Sequence, residues 1–227
     1  MPKAVIFDVD GTLVASVDLH AKPWQDAFGE YGRGIPFDDI RMQIGKNGDP
    51  LMPVFLSEDD IKEFGEELEA RRGAILKDRY LPKVDAFPGV RDLFEHLRDQ
   101  GLRIALASST QQDELETYKE VADIEDLADV QTSSDDAENS KPRPDIFLAA
   151  LEKLGDFDAE DVIVVGDTPC DAEAASQAGL RTIGLLCVGF PEDSLWEAGC
   201  IAVHRDPADL LAQYESSPLS DEGELAS

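Results

Sequence analysis

Short, almost wholly apolar runs bounded by Gly, Ser or Asp recur along the chain: Ala4 to Phe7, Ile104 to Ala107, Val162 to Val165, Thr182 to Leu186 and Ile201 to Val203. A strand covered on one face alternates apolar and polar positions, so unbroken runs predict strands buried on both faces. Helical stripes lie between them. Gly89 to Gln100 puts Val90, Leu93, Phe94 and Leu97 on one side and meets Gly101 as a stop; Pro144 to Leu154 follows a proline start; Ala172 to Ala178 closes at Gly179. Strands alternating with helices predict right-handed βαβ units, and so an α/β, Rossmann-like parallel sheet with helices on both faces. Ligands of such sheets gather at the carboxyl ends of the strands.

One stretch breaks the alternation. From about residue 15 to 85 the pattern is helical only, with segments at Pro23 to Tyr31, Asp38 to Ile44 and Glu58 to Tyr80. The sheet pattern opens before this stretch and resumes at Phe87-Pro88-Gly89, which predicts a helical domain inserted behind the first strand. The expected organisation is a core of residues 1–14 and 86–215, an insertion of residues 15–85, and a mobile acidic tail over residues 216–227, where Ser, Asp, Glu and Gly predominate.

Charge narrows the partners. The 227 residues carry 49 acidic and 20 basic side chains, a net charge of −29, with Asp (29) ahead of Glu (20) and only 9 Lys. Such a surplus repels nucleic-acid backbone and anionic membrane, so neither is expected as a partner. The acids are dispersed, as in Ser57-Glu58-Asp59-Asp60 and Asp158-Ala159-Glu160-Asp161, which argues against a disordered chain. Both an ordinary acidic protein and one from a cell with high internal salt fit this balance. No apolar run approaches the ~18 to 20 residues of a membrane helix. The first residues pass straight into the Ala4 run without a charged leader, so a cytoplasmic location is expected. Cys170, Cys187 and Cys200 have neither metal-knuckle nor redox spacing and read as reduced and structural. A monomer is expected, with a dimer as the alternative.

Candidate chemistry sits at the strand ends. After the first strand comes Asp8-Val9-Asp10-Gly11-Thr12, two carboxylates two apart with a glycine for a sharp exit. The Ile104 strand ends in Ser108-Ser109, hydroxyl and backbone donors suited to phosphate oxygens. Lys141 lies just ahead of Pro142 and Pro144 before a helix, and the Val162 strand ends in Gly166-Asp167-Thr168-Pro169-Cys170-Asp171. Singly, these are an acidic turn, a polar strand end, a solvated lysine and a helix cap. In order on successive strand ends, they supply what phosphoryl transfer needs: oxygen ligands for a hard cation, an oxyanion nucleophile and a proton donor.

This ordered set resembles the haloacid dehalogenase superfamily of phosphotransferases over residues 1 to about 205, with Asp8 to Thr12, Ser108, Lys141 and Gly166-Asp167 through Asp171 matching its four motifs. The position and size of the insertion resemble those of the cap in its phosphoglycolate phosphatase and β-phosphoglucomutase branch. The resemblance implies that Asp8 attacks phosphorus, that Asp10 protonates the leaving oxygen and then activates water, and that Mg²⁺ is held by Asp8, the Asp10 carbonyl and Asp167, with Asp171 joining the metal site through water. It further implies that Ser108, Ser109, Lys141 and Thr12 hold phosphoryl oxygens. An acid two residues after the nucleophile favours phosphate esters over carbon–halogen or carbon–phosphorus bonds. The expectation is thus a Mg²⁺-dependent phosphatase of a small phosphorylated metabolite. A sugar-phosphate mutase is the rival, and a non-catalytic binding protein on the same fold is the alternative of a different class. For the cap, His20 and Trp24 share a helix face and either select substrate or pack between domains. Lys46, in a glycine-flanked loop, either meets an anionic substrate group or is a surface lysine, and Arg71-Arg72 pose the same choice. His96 and His204 are expected in ordinary surface or helix positions, with Cys170 in the loop wall.

Overall fold

The computed structural model describes residues 2–41, 43–44 and 51–220. The chain divides into two compact units, residues 1–15 with 85–227, and residues 16–84. The first holds a six-stranded sheet of β1 (Ala4–Phe7), β2 (Arg103–Ala107), β3 (Val130–Thr132), β4 (Val162–Gly166), β5 (Arg181–Leu185) and β6 (Ala202–His204), in the order β3-β2-β1-β4-β5-β6. All its pairings are parallel. The α/β, parallel-sheet architecture is the one the apolar runs predict. β3 was not legible as a run, because Val130-Gln131-Thr132 is a short edge strand with a polar residue at its centre.

The unit of residues 16–84 is helical, with α1 (Val17–Glu30), α2 (Phe37–Arg41), α3 (Leu51–Phe55) and α4 (Glu58–Ile75), the last running on into a π-helical turn over Leu76–Tyr80. α1 starts six residues before the expected Pro23, which lies buried inside it. A proline at a helix start was the wrong inference, since the preceding Ser16-Val17-Asp18 already opens the helix. α4 begins with a capping box, the Ser57 and Asp60 side chains each serving the other's backbone. Its core gathers Ala21, Trp24, Ala27, Phe28, Ile40 and Leu68, with the Trp24 and Phe28 rings stacked at 5.4 Å.

The remaining helices belong to the sheet unit: α5 (Val90–Asp99), α6 (Gln112–Ala122), α7 (Asp145–Leu154), α8 (Pro169–Gln177), α9 (Glu192–Glu197) and α10 (Pro207–Ala212). Alternation along β1 sends Ala4 and Ile6 to one face, where they join Ile146, Phe147 and Ala150 of α7 and Ala174 and Ala175 of α8. Phe7 points to the other face, with its ring 4.7 Å from that of Phe94 on α5. The four residues of β1 are completely buried. The register sets Phe7 opposite both Leu106 and Val165, so the chain leaves β1, β2 and β4 at nearly one level.

Two expectations need correction. The tail is packed at its start: Leu219 is fully buried, Ser217 Oγ donates to the Tyr214 carbonyl at 2.8 Å, and Ser220 Oγ donates to the Glu215 carbonyl at 2.6 Å. One leucine and serines that cap their own backbone hold residues 216–220, despite their polar composition; residues 221–227 lie outside the described part. His204 is no surface residue but the last of β6, 7% exposed, where burial lowers its pKa. His96 lies on α5, edge-on to Tyr214 with ring centroids 4.4 Å apart.

Candidate active site

The turn after β1 is tight: Gly11 N–H donates to the Val14 carbonyl at 3.0 Å and Leu13 N–H to the Val9 carbonyl at 2.9 Å. Gly11 takes φ +84°, and a Cβ there would lie 2.6 Å from Asp167 Oδ2. Both the left-handed backbone and the approach of a carboxylate demand glycine.

This turn brings Asp8 against groups from two other segments, the loop of Lys141 and the junction from Asp167 to Asp171. Lys141 Nζ lies 2.5 Å from Asp8 Oδ1 and 2.7 Å from Asp171 Oδ1, and over the Phe147 ring at 4.9 Å. Asp171 Oδ2 accepts from the Thr168 N–H at 3.0 Å and the Thr168 hydroxyl at 2.7 Å, closing a capping box on α8. Asp171 thus caps α8 through one oxygen and pairs with Lys141 through the other. Thr12 Oγ1 is 2.9 Å from Asp8 Oδ2 and 2.6 Å from Asp167 Oδ1. Thr12 is fully buried between these carboxylates, and its hydroxyl braces the two acids. One hydroxyl proton cannot serve both acceptors, and the pair therefore favours taking up a further proton or a cation.

The electrostatics agree. Burial raises the Asp8 pKa from 3.8 to about 7, Lys141 opposes the rise, and Asp171 and Asp10 add to it. Burial also raises Asp167 well above the usual carboxylate range, helped by Asp8 and Asp171 and opposed by Thr12 and Lys141. Burial alone would lower Lys141, but Asp171 and Asp8 outweigh it and hold the ammonium above its ordinary value.

A divalent cation fits these residues. Asp8, Asp167 and Asp171 are all buried and each offers an oxygen, the three lying within 4.8 Å of one another. Asp167 Oδ2 has no hydrogen-bond partner among the described residues. An oxygen-only set of this kind suits a hard ion such as Mg²⁺, whose two charges would offset the crowding of acids.

Ser108, at the end of β2, is fully buried; its Oγ accepts from Thr110 N–H at 3.1 Å and donates to Asp10 Oδ2 at 3.2 Å. Ser109 is exposed and alternates away from Ser108. Sequence reasoning missed Thr110 and the buried Glu114 that accepts the Thr110 hydroxyl proton. Their four-residue spacing at a helix start was the available signal, hidden because Thr110 and Asp113 mimic a capping box. Cys170 is half-buried at the start of α8, where burial, then Asp171 and Glu173, push its thiol up to about 11.

In the helical unit, His20 and Trp24 both lie on α1. Trp24 is 9% exposed, part of that unit's core, with the Arg72 guanidinium 5.3 Å from its ring. Of the two readings left open for Trp24, the structure shows packing, within the core of its own unit. His20 is half-buried, and Arg71 is committed to Glu30 by two hydrogen bonds of 2.6 and 2.7 Å. Lys46 lies outside the described residues.

Comparison with known proteins places this arrangement. A phosphorylated carbohydrates phosphatase of Thermotoga maritima is 30% identical over 92% of the chain and 96% of its own length. A phosphoglycolate phosphatase of Nitrosospira multiformis is 31% identical over 96% of the chain and 95% of its own length. The crystal structure of a hydrolase from Pseudomonas syringae superposes with a TM-score of 0.80 at 28% identity, covering 94% of this chain and 98% of that one. The family model for haloacid dehalogenase-like hydrolases matches residues 5–185, from β1 to the end of β5 and so across every motif that builds the site, and the chain belongs to that family.

Proposed function

We propose that the protein is a Mg²⁺-dependent phosphatase of small phosphorylated metabolites, working through an aspartyl phosphate on Asp8. The observation that carries the reading is the pairing of the Asp8 carboxylate with Lys141 at 2.5 Å beside the buried acids Asp167 and Asp171. The phosphatase names of the relatives favour a phosphate ester as substrate.

In this reading Asp8 attacks phosphorus, the P–O bond to the ester oxygen breaks, and Asp10 delivers its proton to that oxygen. Water then attacks the acyl phosphate while Asp10 takes back a proton, releasing phosphate and regenerating both carboxyl groups. Lys141 offsets the like charges of Asp8 and the phosphoryl group, and Ser108 supplies a neutral donor. Asp8, Asp167, Asp171 and the Asp10 carbonyl are the groups to hold Mg²⁺. When bound, the ion supplies charge neutralisation at the transferring phosphoryl oxygens. His20 and Lys46 are proposed to act in substrate choice.

The test is phosphate release across a panel of phosphorylated metabolites. Activity is expected with Mg²⁺, lost in EDTA, restored by Mg²⁺, and poorly supported by Ca²⁺, whose larger and looser shell disturbs in-line geometry. Turnover that survives chelation, or survives Asp8→Asn, overturns the mechanism. Conversion of β-glucose 1-phosphate to glucose 6-phosphate with negligible phosphate release would make it a mutase.

A further inference from the structure

The loop that carries Ser108 runs into a buried pair that the proposed chemistry leaves unused. Glu114 is 6% exposed, and carboxylates are rarely so buried without a specific partner. Its Oε2 accepts the Thr110 hydroxyl proton. The Thr110 N–H donates to Ser108 Oγ at 3.1 Å, and Ser108 donates to Asp10 Oδ2 at 3.2 Å. The backbone holds the same loop from both ends: Ser108 N–H donates to the Thr132 carbonyl at 3.1 Å, and Ser134 N–H to the Thr110 carbonyl at 2.9 Å.

The direction of each link follows from the donors present. A serine hydroxyl has one proton and two lone pairs. With the Thr110 N–H on a lone pair, the Ser108 proton is directed to Asp10. Thr110 joins the two links, its N–H donating to Ser108 Oγ and its hydroxyl to Glu114 Oε2, so that the grip of Glu114 on the side chain fixes the residue whose backbone holds Ser108. Ordinary helix chemistry would assign Glu114 another task, since the third residue of a helix reaches back to the cap. The cap of α6, Gln111, makes no side-chain cap bond, and Glu114 reaches past it to Thr110.

We propose that Glu114 is a positioning residue which, through Thr110, holds the Ser108 hydroxyl in place as a donor, given to Asp10 in the structure and turned to a phosphoryl oxygen when a phosphomonoester binds. This deepens the phosphatase reading and rests on it for its kinetic consequences, whereas the brace itself is a matter of geometry. Glu114→Ala is expected to lower kcat on the order of tenfold with little change in KM, because the oriented donor matters most in the transition state. Glu114→Gln, whose amide oxygen still accepts from Thr110, should restore most of the rate. Thr110→Val, which exchanges the hydroxyl for a methyl group and so ends the contact with Glu114, should copy Glu114→Ala and replaces it where that variant does not fold. In a Ser108→Ala background, Glu114→Ala should cost nothing more.

Full activity of Glu114→Ala, the same tenfold loss without Ser108, or a Gln variant as poor as Ala overturns the proposal. Crystal structures of wild type and Glu114→Ala decide it independently of turnover. Release of Ser108 Oγ from Thr110 N–H and Asp10 supports the brace. Retention of both contacts within about 3.5 Å refutes it. Absence of phosphate release from wild type would instead sink the phosphatase reading and leave that structural comparison to stand on its own.

Discussion

Asp8→Asn should stabilise the metal-free protein while abolishing turnover. The Asp8 carboxyl is buried beside Asp171 and Asp10, and its pKa of about 7 stands well above the ordinary 3.8. A group whose folded pKa is raised binds its proton more tightly in the folded state. Its contribution is fully favourable below the unfolded value and is lost as pH rises toward the folded one. About three pKa units at roughly 1.4 kcal/mol each set a ceiling near 4 kcal/mol for the cost of ionising Asp8 in the fold. An asparagine is never ionised, although its carbonyl holds Lys141 less strongly than a carboxylate does, so a net gain of about 2–4 kcal/mol is expected at about pH 8. Urea unfolding in EDTA measures it, at about pH 8 and again at about pH 5. The gap between variant and wild type should shrink to under about 2 kcal/mol at the lower pH, where Asp8 in the wild type is mostly protonated. Saturating Mg²⁺ should reverse the order, because a ligand that binds only the folded state adds stability in proportion to its affinity. A variant no more stable than wild type in chelator at about pH 8, or a gap indifferent to pH, refutes the reasoning.

Two further outcomes concern the fold and its charge. Gly89→Ala places a Cβ 2.9 Å from Ala208 Cα at φ +79°, so it should cost the backbone strain of about 1–2 kcal/mol plus a clash with α10, whereas Gly101→Ala at φ +83° meets open space and should cost the strain alone; equal chemical-denaturation midpoints for the two variants would show that α5 and α10 are not closely packed. With 49 acids for 20 bases, repulsion outweighs surface pairs such as Lys3–Asp161, so the melting temperature should rise as KCl goes from about 0.1 M toward molar and the Debye length shortens from about 10 to about 3 Å; a flat or falling midpoint argues against salt adaptation.

The parts legible in the sequence were those with their own local signature. β1, β2, β4 and β5 are continuous apolar runs because both faces are covered, and α5 and α7 carry a stripe with a start or stop residue. β3 was not legible, since an edge strand owes its conformation to its neighbour β2 rather than to its own residues. Asp8, Ser108 and Asp167 fall together because each follows a strand, and Lys141 joins them through its contacts with Asp8 and Asp171. The brace that Thr12 forms was not legible, because a hydroxyl beside an expected phosphate is indistinguishable, in sequence, from one that bridges two carboxylates. Trp24 stayed open for a similar reason: an aromatic on a helix face gives no sign of whether that face covers a ligand or a core.

The insertion leaves and re-enters the sheet unit through a small closed ladder. Ala15 N–H donates to the Asp85 carbonyl and Phe87 N–H to the Leu13 carbonyl, each at 2.9 Å, with Val14 bridged antiparallel to Ala86. From the standpoint of chain statistics, the sheet unit experiences residues 16–84 as one loop whose ends it has already joined. Closure entropy grows only with the logarithm of loop length, so doubling or halving an excursion of roughly seventy residues changes that term by only about 0.6 kcal/mol. The length of the insertion is therefore almost invisible to the stability of the unit that holds Asp8, Asp167 and Lys141. Whole helical segments can be lengthened, shortened or exchanged between Ala15 and Asp85 at little thermodynamic cost in loop closure, while Asp8, Asp167 and Lys141 stay where the sheet unit puts them.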